Sequence, residues 1–190
     1  AKAWTLVGLP SIAGLPDAGA LVTVGSPVLR ALTTAAGVAT LALLVLALSV
    51  DPARKGGTLS RLGRRDATLA GRAAGAWTVL AVLQAMWVFA DVLALPVPQA
   101  WSPSMVAAFW WEVPQIRALI LVALLAAVAA AIASVSTRVV GVGVATALSG
   151  IAIVVPTVSG HASGTSAHAL LLASGTAHAL AASVWVAMRG

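Results

Sequence analysis

The sequence predicts an all-α fold: a polytopic membrane protein, a helical bundle of about five transmembrane helices with a short outer interfacial helix. Two observations carry this. Of the 190 residues, 61% are hydrophobic and 8% charged, whereas a soluble chain carries about 25% charged residues. The apolar residues also fall in long Ala/Leu/Val runs, not in the short alternating segments of a membrane β-barrel. Within lipid the backbone must satisfy its own hydrogen bonds, and such runs do so as helices.

A span of the hydrocarbon core takes about 20 apolar residues. Five stretches qualify: about Val28 to Val50, Ala73 to Leu95, Ile116 to Val135, Val139 to Pro156 and His168 to Met188. Together they make residues 28–190 the transmembrane bundle. Residues 1–27 hold Gly8, Pro10, Gly14, Pro16 and Pro27, a density of breakers that predicts an extracytoplasmic surface segment. Between the second and third spans, Ser102–Pro103 has the form of a helix start, with serine at the cap and proline at the first position. Met105, Val106, Phe109, Trp110 and Val113 follow at helical spacing, as expected of a short helix lying on the membrane surface. The chain opens at Ala1 and stops at Arg189–Gly190, and is expected to be a part of a longer protein.

Charge then orients the spans. The segment from Asp51 to Arg72 holds Arg54, Lys55, Arg61, Arg64, Arg65 and Arg72, while Pro96 to Gln115 has no basic residue. With the first of these in the cytoplasm, Arg138 and Arg189 join it, making eight basic residues inside against Lys2, Arg30 and Arg117 outside. The positive-inside rule therefore predicts a multi-pass plasma-membrane protein with its N-terminus outside. The net charge of +6 is explained by these loops and not by a nucleic-acid face. The sequence contains no cysteine, which removes disulfides and thiolate metal sites and leaves histidine, methionine and carboxylates as ligands.

All three histidines fall in the last thirty residues. His161 lies in an outer loop, His168 near the outer end of the fifth span, and His178 about ten residues deeper, roughly 15 Å along one helix. His168 and His178 therefore cannot share an ion. His161 and His168 can, if the loop folds back, and copper accepts imidazole and thioether donors, with Met105 as a third candidate on the same side. A histidine at a membrane surface is more often simply solvated or hydrogen-bonded than a ligand. His178 in mid-membrane calls for a partner or cavity, with a carbonyl hydrogen bond, proton relay and metal passage all open. Asp91 in the outer part of the second span shares a helix face with Gln84, seven residues before it. Arg30 and Arg117 lie at the outer ends of the first and third spans at comparable depth, so a structural ion pair of Asp91 with either would relieve the cost of both charges; Arg30 can also snorkel to the headgroups. Gly141, Gly143 and Gly150, with Ala145 and Ala147, give the fourth span a small-residue face for close helix approach. Most of the tryptophans suit an interfacial belt. No phosphate-binding glycine loop, paired catalytic carboxylates or Ser/His/Asp set is present, so no enzymatic role is expected. A haem would need two histidines at similar depth on different helices, and only His178 is placed in mid-membrane.

Two blocks carry a family resemblance. The opening Gly14-Leu-Pro-Asp-Ala-Gly-Ala-Leu with Pro27-Val-Leu-Arg30-Ala-Leu, and the ending Ser159-Gly-His161-Ala-Ser-Gly with Ala177-His178-Ala-Leu-Ala-Ala-Ser-Val-Trp185-Val, resemble the actinobacterial copper-resistance CopD family. In many of its members the CopD-like part is fused to a CtaG-like cytochrome c oxidase assembly domain. The resemblance covers roughly Gly14 to Val186. It departs from the family at Thr33–Thr34, where relatives have an acidic residue, and at Ala187-Met-Arg-Gly, where they have a glycine-rich turn. It implies an integral membrane protein that handles copper ions, moving them across the plasma membrane or supplying them for oxidase assembly, with Gly160–His161, His178 and Arg30 at matching positions. The expected metal residues are then His161, His168, His178 and Met105. The alternative is a non-catalytic membrane subunit or assembly factor associated with a respiratory complex, in which the histidines matter little.

Overall fold

Small residues face one another inside this protein and large apolar ones face outward. The buried positions of the helices Arg61–Val92 and Pro114–Val135 are dominated by alanine, with Ala67, Ala70, Ala74, Ala81, Ala126 and Ala129 fully enclosed. Leu32, Val79, Leu121, Leu124, Val140 and Ile151 are exposed. A water-soluble bundle would invert this order. In lipid an outward leucine loses nothing, and association is driven by close packing of small side chains.

The structure, a computed structural model, describes residues 18–49 and 57–158, together with Ala181 and Trp185, both helical. Among the described residues there are six helices: α1 Ala20–Ser49, α2 Arg61–Val92, α3 Val97–Ala100, α4 Pro103–Phe109, α5 Pro114–Val135 and α6 Val139–Val158. Four of these, α1, α2, α5 and α6, are long and apolar enough to cross a membrane. The chain is an all-α helical membrane protein. The expected fifth span, His168 to Met188, lies outside the described residues apart from Ala181 and Trp185.

Helix α1 starts eight residues before the expected span, at Ala20, with Pro27 inside it. Gly19 begins it in the left-handed region (φ 87°), its carbonyl accepting from the Val22 and Thr23 amides at 3.0 and 3.2 Å. Proline lacks the N–H that would bond the Thr23 carbonyl four residues back. Trp87 Nε1 donates to the Leu21 carbonyl at 3.4 Å, which ties the first turns of α1 to α2 without replacing that bond.

Helix α2 also starts earlier than expected, at Arg61 instead of Ala73, and runs for 32 residues. Ser60 caps it, accepting from the Gly63 amide at 3.0 Å. Its first turns are held by the α5–α6 connection. Leu59 N–H donates to the Thr137 carbonyl at 2.9 Å and Val139 N–H to the Gly57 carbonyl at 3.0 Å, forming an isolated antiparallel bridge between Thr58 and Arg138. The far end of α2 closes in a Schellman motif: Leu95 N–H donates to the Ala90 carbonyl and Ala94 N–H to the Asp91 carbonyl, both at 3.0 Å. Ala94 takes the left-handed conformation there (φ 51°), and Pro96 follows, as is common after such a cap.

Contacts run from α1 to α2, α2 to α5, α5 to α6 and α6 back to α1, so the four long helices close into an up-down-up-down bundle. Glycines set the approach. Gly25 lies against Trp87 and Gly37 against Trp77, Gly71 against Ser134, and Gly141 against Ser136. The core has three levels. Leu44, Ala67, Ala133 and Val142 pack at the end where α2 begins. Trp77, Ala81, Val122 and Ala152 pack in the middle. Val22, Phe89, Ile116 and Leu119 pack at the opposite end. The first is called the arginine end below and the last the aromatic end.

Candidate functional site

The aromatic end is closed by the chain between α2 and α5. After the Schellman turn, α3 and α4 each start with proline in the first turn, whose fixed φ suits that position; α4 begins where Ser102–Pro103 predicts. Together they bring Trp101 and Trp110 onto Phe89. The three rings pack edge to face, with centroids 6.0 Å apart for Phe89–Trp101, 5.5 Å for Phe89–Trp110 and 5.2 Å for Trp101–Trp110. Edge-to-face pairing places the positive rim of one ring on the negative face of the next. Phe89 is fully buried, and Trp101 Nε1 donates to the Met86 carbonyl at 3.5 Å. The triad is a plug over the α2–α5 seam.

Met105 is half-buried and packs against this cluster. A thioether beside aromatic rings makes a favourable contact of its own, so packing alone explains its place. The copper role expected of Met105 depends on His161 and His168, which with His178 lie outside the described residues. Among the described residues no group of three or more His, Asp or Glu side chains is placed to hold a metal ion.

The charged residues of the aromatic end separate by depth. Arg30, Asp91 and Arg117 are all exposed, and Gln84 is half-buried. Arg30 does not sit at the outer end of its helix, as expected, because α1 extends ten residues further to Ala20. With Gly25 against Trp87 and Gly37 against Trp77, Arg30 is level with the neighbourhood of Gln84, roughly 10 Å deeper than Asp91. With Gly71 against Ser134, Arg117 is level with Val88, roughly 4–5 Å from the depth of Asp91. Depth thus brings Arg117 nearer than Arg30 to the level of Asp91, but no ion pair joins Asp91 to either arginine among the described residues. Arg30 is left to snorkel along its own helix.

Two features were not legible as structured sites. Ser149, in the middle of α6, is fully buried, and its hydroxyl has no hydrogen-bond partner, unlike the equally buried Thr40, which donates to the Ala36 carbonyl at 2.8 Å. At the arginine end, residues expected in a loop are helical. Arg61, Arg64 and Arg65 line an open cleft of about 750 Å³ with the end of α5. The signal was present in Ser60 as a cap residue, obscured by the glycines and charges around it. Comparison with family models, with curated proteins and with solved structures gives no match for this chain.

Proposed function

We propose that this chain handles copper as a cargo at the plasma membrane, moving it across the bilayer or supplying it for oxidase assembly. The reading rests on the histidine blocks Ser159-Gly-His161 and Ala177-His178 and on their resemblance to the CopD family. In this proposal the aromatic end faces outward and the arginine end faces the cytoplasm, as the positive-inside rule requires. His161, His168 and Met105 would meet the ion at the outer surface, and imidazole with thioether is a donor set that suits copper. His178 would lie further along the path. The test is copper binding by the purified full chain, measured by competition with a chromophoric chelator. Binding is expected to be lost in H161A/H168A and retained in W111A; undiminished binding in the double variant would overturn the entry site.

A second reading, a non-catalytic membrane subunit or assembly factor that docks on a respiratory complex, is favoured by one observation. A Cβ added at Gly143 or Gly150 on α6 would meet nothing within 4 Å, so part of the small-residue face is unused by the described bundle. Co-purification with oxidase subunits that is abolished by G143L/G150L, with copper binding unaffected, would decide for this reading.

A further inference from the structure

The arginine end holds a second site, one that the copper reading does not use. The first two turns of α2 carry Arg61, Arg64 and Arg65 and, among the described residues, no acidic residue in the first turn. Cations at a helix N-terminus oppose its macrodipole, which is positive there. An arrangement that is locally unfavourable and yet clustered calls for an anion. The positive-inside rule alone does not require it, because that rule counts charges and is satisfied wherever they lie in the loop.

The surroundings specify the anion. The three arginines line one cleft with Leu62, Val135 and the Ser136–Thr137 turn. All three are exposed, and no ion pair or side-chain hydrogen bond from them is made to another described residue. Asp66, on the same helix, is at neither three nor four residues from any of them, so it is out of register for a helical ion pair. The other described carboxylates, Asp91 and Glu112, belong to the opposite end of the bundle. Among the described residues, then, no carboxylate pairs with the cleft arginines, and guanidinium forks match phosphate oxygens in pairs.

Depth identifies the source of the phosphate. Helix α5 has 22 residues, roughly 33 Å, about the hydrocarbon thickness. Its last turn packs Ser134 against Gly71 of α2. Arg65, Arg64 and Arg61 lie further along α2 by roughly 9, 10 and 15 Å, which carries Arg65 and Arg64 to the outer edge of the headgroup layer, within reach of their side chains, and Arg61 beyond it. Val135 on the bilayer side of the cleft wall, exposed, is suited to the glycerol and first acyl carbons of an amphiphile. A free phosphate would have no use for it. The bridge between Thr58 and Arg138 holds the two walls of the cleft together before any ligand arrives.

We propose that this cleft binds the phosphodiester headgroup of an anionic phospholipid, seated where α2 passes the end of α5. Arg64 and Arg65 grip the phosphate, and the Ser136–Thr137 turn faces the headgroup alcohol. The site works in either orientation of the protein and does not rest on copper handling.

The test uses the full chain in detergent micelles and native mass spectrometry, titrating dioleoylphosphatidylglycerol against dioleoylphosphatidylcholine. The wild type is expected to retain the anionic lipid preferentially. R61Q/R64Q/R65Q is expected to reduce that preference by on the order of a hundredfold, and R65Q alone by about fivefold. R117Q, at the other end, is expected to keep it. Circular dichroism establishes that each variant is folded, and R65Q carries the test if the triple variant is not. An equal preference in a folded variant, or none in the wild type, would overturn the site. Displacement of the bound lipid by millimolar inorganic phosphate would overturn the assignment to a lipid.

Discussion

Gly37 and Gly75 together isolate the packing that closes this bundle. Both sit in the interiors of long helices, α1 and α2. A methyl group added at Gly37 would lie 2.9 Å from two ring atoms of Trp77, and Trp77 is 3% exposed, so the ring has nowhere to go. A methyl group at Gly75 meets nothing within 4 Å. Replacing glycine by alanine in a helix interior gains about 0.5–1 kcal/mol at either site. At Gly37 overpacking costs about 1–3 kcal/mol against that gain. Gly75→Ala should therefore stabilise the protein by up to about 1 kcal/mol, and Gly37→Ala should lie about 1–3 kcal/mol below it, the propensity gain cancelling in the comparison. Reversible unfolding by sodium dodecyl sulfate in mixed micelles, followed by tryptophan fluorescence, measures both. If the two variants shift the midpoint equally, α1 and α2 do not meet at Gly37 and Trp77, and the placement of α1 is wrong.

Three further outcomes are expected. Ala94 occupies a left-handed position (φ 51°), which costs an L-residue roughly 1–2 kcal/mol and glycine far less; Ala94→Gly should raise the same unfolding midpoint, and a lowered midpoint would contradict the Schellman turn. Ser149 buries a hydroxyl without a partner, so Ser149→Ala should stabilise by about 1 kcal/mol; a comparable loss would mean that the hydroxyl is bonded. Because the sequence has no cysteine, single-cysteine variants report sidedness directly. Thr58 and Ser104 are both exposed, at opposite ends of the bundle. In intact cells a membrane-impermeant maleimide should label Ser104→Cys and spare Thr58→Cys; the reverse pattern would refute the proposed orientation.

The helical class, the membrane location and the interiors of the four described spans were legible in the sequence because each rests on sums over about 20 residues, where composition decides. The start of α4 was legible too, because Ser102–Pro103 is a local signal that nothing overrides. The ends of α1 and α2 were not. Pro27 reads as a break, yet α1 runs through it, with Gly25 packed on Trp87 sixty-two residues away. The arginines before Ala73 read as a loop, and only the Ser60 cap and the pairing of Gly57–Leu59 with Thr137–Val139 extend α2 through them. For the candidate site, charge and residue type were readable, but depth was not. The sequence put Arg30 and Arg117 at equal depth beside Asp91; the contacts of α1 and α5 with α2 separate them by several ångströms. Hydrophobicity alone determines that a helix spans the membrane. Its register against its neighbours is set by where a glycine admits a ring, and that is a property of pairs of helices.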